Sequence, residues 1–548
     1  MRTTSLILAL GLLAIVPGTR ARQDQPVVGA RSGINTKTGE VPIRRNINSI
    51  YQERGPQWDL YVGALKAMYD ANETDPLSFF QIAGIHGEPH IAWSGGGPQS
   101  GAEAGYCPHN QMLFGTWHRG YLSLFEQTLV QQATRIANNY PASLRKRYVE
   151  AAESLRIAYW DWASDSNVPP VTTMSEVTIN KPVNGTLRPV SVQNPLFAFK
   201  YPRSALEGKF GKFSGTNQTK RCVDEGQSYP ETANANLAGY NLKEKVYNVF
   251  LKAESFDEMI SAQSEGANFE SPHGEVHVGA ACGQDLLYLS LSAFEPLFWL
   301  HHCNVDRLIA YWQALHFENA TMHFAYPSNE MFATPPGTLV TPQSPMYPFM
   351  GTGGQPLTSE SVAHVRDWGY TYAPIRFWDQ APGETKMEVS RSVNIMYGPQ
   401  DASFLRGFKS RQAASRREYF AKVEVERGDL ELPCQVQLWM RGSLAGTFTL
   451  LDMPTQGKSY DEVPLRIRTE AGGTGNFAAE GVLESIHEGL EVVVQKMDGT
   501  TMPLDRVPSL RIEVEDVEVI QPSSLNELPT IGRTRSQSTK ARPLNMRP

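Results

Sequence analysis

Imidazoles dominate the chemistry available to this sequence. In the first half, His86 precedes Cys107-Pro-His109, and nine residues after His109 stands His118, within Trp117-His118-Arg119. In the second half, His273-Gly-Glu-Val-His277 is followed by Phe298-Trp-Leu-His301-His302-Cys-Asn-Val-Asp306-Arg307. A spacing of four places His273 and His277 on one face of a helix, where both rings can meet one ion. Zinc proteases share that spacing, but their general-base glutamate directly follows the first histidine; here Gly274 holds that place and Glu275 comes one later, so the protease reading fails. Adjacent helical side chains diverge by about 100°, so only one of His301 and His302 faces the metal. His302 shares a stripe with Phe298, Asp306 and Ile309, and Asp306, one turn on, is placed to accept its free ring N–H. His302 is therefore taken as the ligand and His301 as a packing residue behind it. His86 is preferred to His90 because it ends the apolar run Leu77–Ile85, which would bury it, whereas His90 follows Gly87 and Pro89. The two sets are His86, His109 and His118, and His273, His277 and His302. Six imidazoles without thiolate or carboxylate suit copper; zinc, nickel and iron also accept imidazole, so ligand type alone leaves the metal open. His316, His323, His364 and His487 have no ligand-like neighbours.

The elements that must carry these residues are mainly helical. Trp58–Ala71, Leu113–Asn138 and Phe294–Leu315 repeat apolar residues at three- and four-residue spacing. His118 begins the second of these helices and His109 lies in the loop before it. Residues 167–240 and 327–360 are rich in Pro, Gly and small polar residues and read as surface loops. After Tyr372 the period changes: Glu418–Thr449, Leu490–Lys496 and Leu510–Ile520 alternate apolar and polar residues, as half-buried strands do. The expected organisation is a helical domain over 22–372, a linker over 373–417 containing Lys409, Arg411, Arg416 and Arg417, an all-β domain over 418–520, and a disordered basic tail over 521–548.

With 548 residues, 41% of them hydrophobic, the chain can bury a large core. Its net charge of -7 argues against nucleic acid as a partner. Leu6–Val16 is apolar, too short to span a bilayer, and is followed by Thr19-Arg20-Ala21; it reads as a signal peptide over 1–21. No later segment is apolar enough to cross a membrane. The sequons at Asn72, Asn184, Asn217 and Asn319 fit export, so the expected location is extracellular, in the cell wall or in a vacuole. Five cysteines leave at least one thiol unpaired. Cys107, two residues before His109, is the one singled out, while Cys222 and Cys282 can bridge, with Cys303 also available.

The segments Tyr106-Cys-Pro-His109 to Trp117-His118-Arg119 and Glu295-Pro-Leu-Phe-Trp-Leu-His301-His302 to Asp306-Arg307 resemble the two copper signatures of the tyrosinase, catechol oxidase and haemocyanin family, and the arrangement with a β domain behind is most similar to ascomycete polyphenol oxidases. The resemblance covers residues 40 to 375. It implies a four-helix bundle in which the six histidines named above hold two copper ions that bind O2, and oxidation of small phenols to ortho-quinones. It further implies a thioether between Cys107 and His109, a water held by Glu270, a structural role for Tyr370-Thr-Tyr372 with Arg45 against it, and a β domain that covers the copper site until a protease cuts the linker. The chain departs from strong monophenol hydroxylases at Gly274, where they carry asparagine; glycine offers no side-chain donor or acceptor. The expected function is oxidation of ortho-diphenols, with aminophenols or substituted monophenols as further substrates. The alternatives are a tyrosinase with strong monophenol hydroxylation and a haemocyanin-like oxygen carrier.

Overall fold

In the computed structural model, residues 25–101, 103–399, 415–467 and 479–544 are described. The expected signal peptide, Lys409 and Arg411 lie outside them. Among the described residues no helix is long and apolar enough to cross a membrane.

Four helices build the scaffold of the first domain: Pro56–Tyr69, Phe114–Asn138, Glu270–Ala281 and Pro296–Leu315. Their start signals are visible in the sequence. Pro56 and Pro296 occupy first-turn positions, where the missing N–H costs nothing. Glu295 caps the last helix by accepting from the Leu297 N–H, and it is buried against the guanidinium of Arg221. Next to Arg221, Cys222 is disulfide-bonded to Cys282, the left-handed residue that ends helix Glu270–Ala281. The loop between the second and third of these helices is thus tied to both helices that carry the second histidine set. Cys107, Cys303 and Cys434 are free thiols.

The region expected to be loops holds an antiparallel hairpin, Glu176–Val183 with Thr186–Gln193. Its turn is Asn184-Gly185, both at positive φ, the two-residue turn that matches strand twist. The hairpin lies against the first bundle helix, with Trp58 Nε1 donating to the Thr178 carbonyl at 3.0 Å.

The second domain is two sheets with a shared core. One runs in the order Thr530–Thr539, Arg511–Ile520, Ser415–Glu426, Lys458–Pro464; the other runs Thr501–Met502, Leu490–Lys496, Cys434–Met440, Ser443–Leu450, with Arg542–Pro543 added parallel to Leu490–Lys496. Ala421, Val423, Val463 and Val514 of the first sheet meet Val436, Leu438, Phe448 and Val494 of the second. The tail expected to be disordered instead supplies an edge strand: Thr530–Thr539 pairs along Arg511–Ile520. Backbone hydrogen bonds hold it, so it needs no apolar alternation. The linker holds a helix, Pro382–Met396, and Arg416 and Arg417 lie in the first strand of the β domain, with Arg417 paired to Asp516.

Candidate metal centre

Helix Phe114–Asn138 brings His118, helix Glu270–Ala281 brings His273 and His277, and helix Pro296–Leu315 brings His301 and His302. His86 follows the short helix Phe79–Ala83, and His109 stands in the turn before Phe114. All are buried. Backbone carbonyls orient four of the rings through Nδ1: Leu289 for His86 at 2.9 Å, Phe114 for His118 at 2.7 Å, Glu270 for His273 at 3.2 Å and Leu286 for His277 at 2.6 Å. With Nδ1–H donated outward, Nε2 is left with its lone pair for an ion. The Nε2 atoms of His86 and His118 lie 3.3 Å apart, as do those of His277 and His302. Two imidazole nitrogens about 2 Å from one ion take up such a spacing. Burial drives the imidazoles toward the neutral form, with His118 pushed down to about 3 and His277 to about 4. His273 Nε2 and both nitrogens of His109 are buried without a hydrogen-bond partner. Inward-facing neutral nitrogens that no described residue satisfies fit two metal ions, and the all-nitrogen set is one that copper accepts.

His301 also enters this cluster. It lies with His273, His277 and His302 in a group whose donor atoms are within 4.8 Å of one another, and its ring stacks on His273 at 5.0 Å. His302 makes the closer approach to the first set, its ring stacked on His118 at 4.4 Å and tilted over Phe298 at 4.1 Å. The expected bond from His302 to Asp306 is absent: His302 Nδ1 has no partner. Asp306 instead accepts from Arg119 at 2.6 Å, Arg44 at 3.0 Å, Tyr370 at 2.7 Å and Tyr372 at 2.8 Å. Burial alone would raise its pKa, but Arg119 and Arg44 hold it below the ordinary carboxylate range. The arginine against the tyrosine motif is Arg44, stacked 3.4 Å over the Tyr370 ring. Arg45 points the other way, to Glu53 and Gln57, because successive residues of an extended segment face opposite sides.

Glu270 opens helix Glu270–Ala281 and accepts from the Asn110 N–H at 2.5 Å, the Ser261 hydroxyl at 2.8 Å and the Ala262 N–H at 2.9 Å. Burial pushes its carboxyl up to about 7, against the pull of these donors. The half-buried Cys107 forms a group with His86 and His109 within the same 4.8 Å limit, and its thiol faces the His86 carbonyl at 3.0 Å.

The β domain closes the centre. His109, Asn110, Glu270, His273 and Gly274 face Arg427, Phe448, Thr449, Leu451, Met453 and Ser459 across a gap of about 30 Å³, room for a water or two and none for an aromatic ring. A Cβ on Gly274 would stand 3.7 Å from the Thr449 carbonyl and 3.8 Å from Leu451. Leu451 belongs to the hydrophobic core of the helical domain, not to that of its own. Below it, Asp461 accepts from Ser271 at 2.6 Å and pairs with Lys245 at 3.0 Å, which also pairs with Glu275 at 2.9 Å. None of these cover residues stands out in the sequence, because each acts only through docking.

A family model described as the common central domain of tyrosinase matches residues 76–315. The tyrosinase of Podospora anserina is 33% identical over 399 residues, 67% of this chain and 69% of that protein. The chain belongs to the tyrosinase family. This tyrosinase-family copper oxidoreductase also matches the tyrosinase of Neurospora crassa, at 31% identity over 70% of the chain and 60% of the relative, and polyphenol oxidase 2 of Agaricus bisporus, at 31% over 67% of each. Among solved structures, recombinant mushroom tyrosinase superposes with a TM-score of 0.78 at 22% identity, over 95% of this chain and all of that one. An Aspergillus oryzae pro-tyrosinase superposes with a TM-score of 0.72 at 19% identity, over 96% and 99%. These likenesses extend through the β domain and place the fold of the whole described chain.

Proposed function

We propose that this protein is an exported, latent oxidase of ortho-diphenols, converting two diphenols and one O2 to two ortho-quinones and two waters. The observation that carries the reading is the cover: a neutral six-histidine centre stands behind a gap too small for a phenol ring, and the other side of that gap is a domain with its own core. Two copper ions held by His86, His109 and His118 and by His273, His277 and His302 would supply the electron transfer from diphenol to O2. The protein's own groups then handle position and protons. Glu270, fixed by three donors beside His109 and His273, is placed to hold the phenolic proton. Gly274, one turn further along the same helix, leaves the wall beside Glu270 without a side chain, which favours diphenols, already more acidic, over monophenols. The arginines and tyrosines around Asp306 hold helices Phe114–Asn138 and Pro296–Leu315 in register from behind. Export is supported by the Cys222–Cys282 disulfide and by the exposure of Asn72, Asn184, Asn217 and Asn319, as glycan attachment requires.

Limited proteolysis between residues 397 and 415 tests the reading. The clipped, copper-loaded enzyme should oxidise catechol far faster than the intact chain. Equal turnover rejects the cover, and no turnover from either form rejects the oxidase.

A further inference from the structure

Asn110 follows the ligand His109 in left-handed backbone, φ +52°, a conformation that asparagine tolerates better than most residues. Its main chain is anchored wholly within the helical domain: the N–H donates to Glu270 at 2.5 Å and the carbonyl accepts from Asn329 at 3.3 Å. Its side chain is anchored wholly outside it. Nδ2 donates to the Lys458 carbonyl and Oδ1 accepts from the Ser459 hydroxyl, both at 2.8 Å, and both partners lie on one strand of the β domain.

The polar groups facing the gap over the histidines behave differently when that domain departs. Arg427 and Ser459 leave with it. Glu270 keeps all three donors, and Ser271 keeps Lys245 at 3.2 Å. Asn110 alone among them loses both side-chain partners while its backbone stays fixed at the edge of the opened cavity. It then presents one donor and one acceptor there, the pair that a hydroxyl satisfies in both directions.

We propose that Asn110 is a substrate-positioning residue held in check by the β domain: its carboxamide latches the cover in the intact protein and, once the cover leaves, receives the second hydroxyl of an ortho-diphenol. This rests on the oxidase reading above. A diphenol whose first hydroxyl is engaged at the centre has a second to offer the cavity wall, and a monophenol has none. Asn110 therefore discriminates between them, on a wall where Gly274 contributes no side chain.

Asn110→Gly removes the carboxamide and accepts the positive φ, and Asn110→Asp keeps shape and one acceptor. In clipped, copper-loaded enzyme, Asn110→Gly should raise KM for catechol about thirtyfold, the worth of two ordinary hydrogen bonds, and change KM for phenol by less than about twofold. Asn110→Asp should recover part of the difference. Equal shifts for both substrates, or none, with copper content intact, overturn the positioning role. The latch is read separately in copper-free intact protein by hydrogen exchange at the Tyr460 amide, which donates across the domain interface to Ala262 at 2.7 Å. Asn110→Gly should speed that exchange, and unchanged exchange overturns the latch. If clipped wild-type enzyme fails to oxidise catechol, the oxidase reading falls, while the exchange result still decides the latch.

Discussion

Removing Asp461 should open the protein without a protease. Asp461 is 3% exposed and its partner Lys245 is also 3% exposed. In Asp461→Ala the Lys245 ammonium keeps Glu275 at 2.9 Å and the Thr447 carbonyl at 2.7 Å, and Ser271 loses its 2.6 Å acceptor. Breaking a buried ion pair from one side costs about 3–5 kcal/mol; the surviving Glu275 argues for the lower end, about 3 kcal/mol. When the domains part, Lys245 regains water, so this cost falls on the closed form alone. A shift of about 3 kcal/mol multiplies the open population by roughly 150. Catechol turnover by intact Asp461→Ala should rise by that factor, or to the plateau of the clipped enzyme if that is reached first. Asp461→Asn, which retains an acceptor for Ser271, should rise less. Arg466→Ala removes an interdomain bridge to Glu244 whose side chains are 51% and 49% exposed, a contact worth at most about 1 kcal/mol, and should raise turnover by about fivefold or less. If intact Asp461→Ala is as silent as wild type, with wild-type secondary structure and copper content, the buried pair does not set closure and the reasoning fails.

His302→Ala should lose one of two coppers and all turnover, whereas His301→Ala should retain both; elemental analysis with the opposite result would assign the ligand to His301. Peptide mapping of copper-loaded protein should find Cys107 refractory to alkylation and its peptide lighter by two hydrogens, and a fully alkylated Cys107 rejects the thioether to His109. Gly274→Asn in clipped enzyme should raise the ratio of monophenol to diphenol turnover about fivefold, for one added hydrogen bond of about 1 kcal/mol; in the intact chain the same side chain meets Thr449 and Leu451 beyond its Cβ and should make closure leak.

The sequence carried the centre because helix period and ligand spacing are local facts. Leu113–Asn138 and Phe294–Leu315 fall within two residues of the observed helices Phe114–Asn138 and Pro296–Leu315. What it did not carry depends on partners from elsewhere in the chain. One turn of helix does place Asp306 below His302, but nothing local says that Arg44, Arg119 and two tyrosines converge on the same carboxylate. Strand Lys458–Pro464 was missed because Asp461 and Glu462 interrupt its apolar pattern, and both are buried only because Lys245 and Lys252 of the other domain meet them. The hairpin over 176–193 reads as loop because the Pro- and Thr-rich composition around it outweighs its one local signal, Asn184-Gly185 between Val177, Ile179 and Val190, Val192.

On the latent-oxidase reading, the character of the interface decides how a cut in the linker would act. Over the centre its apolar residues are Phe448, Leu451 and Met453, and around them the contacts are hydrogen bonds and buried ion pairs. Such an interface gains specificity more than affinity, since each buried charge must offset its own desolvation. In the intact chain the linker keeps the domains at an effective concentration in the millimolar range, so even weak contacts stay closed. Cleavage breaks none of the contacts and removes only the tether, making closure depend on concentration. Specific activity of clipped protein should therefore rise on dilution from the high micromolar range, and fall again when the same sample is concentrated. A specific activity independent of concentration would mean that cleavage acts by unfolding the β domain, because a folded cover with these partners must be able to return.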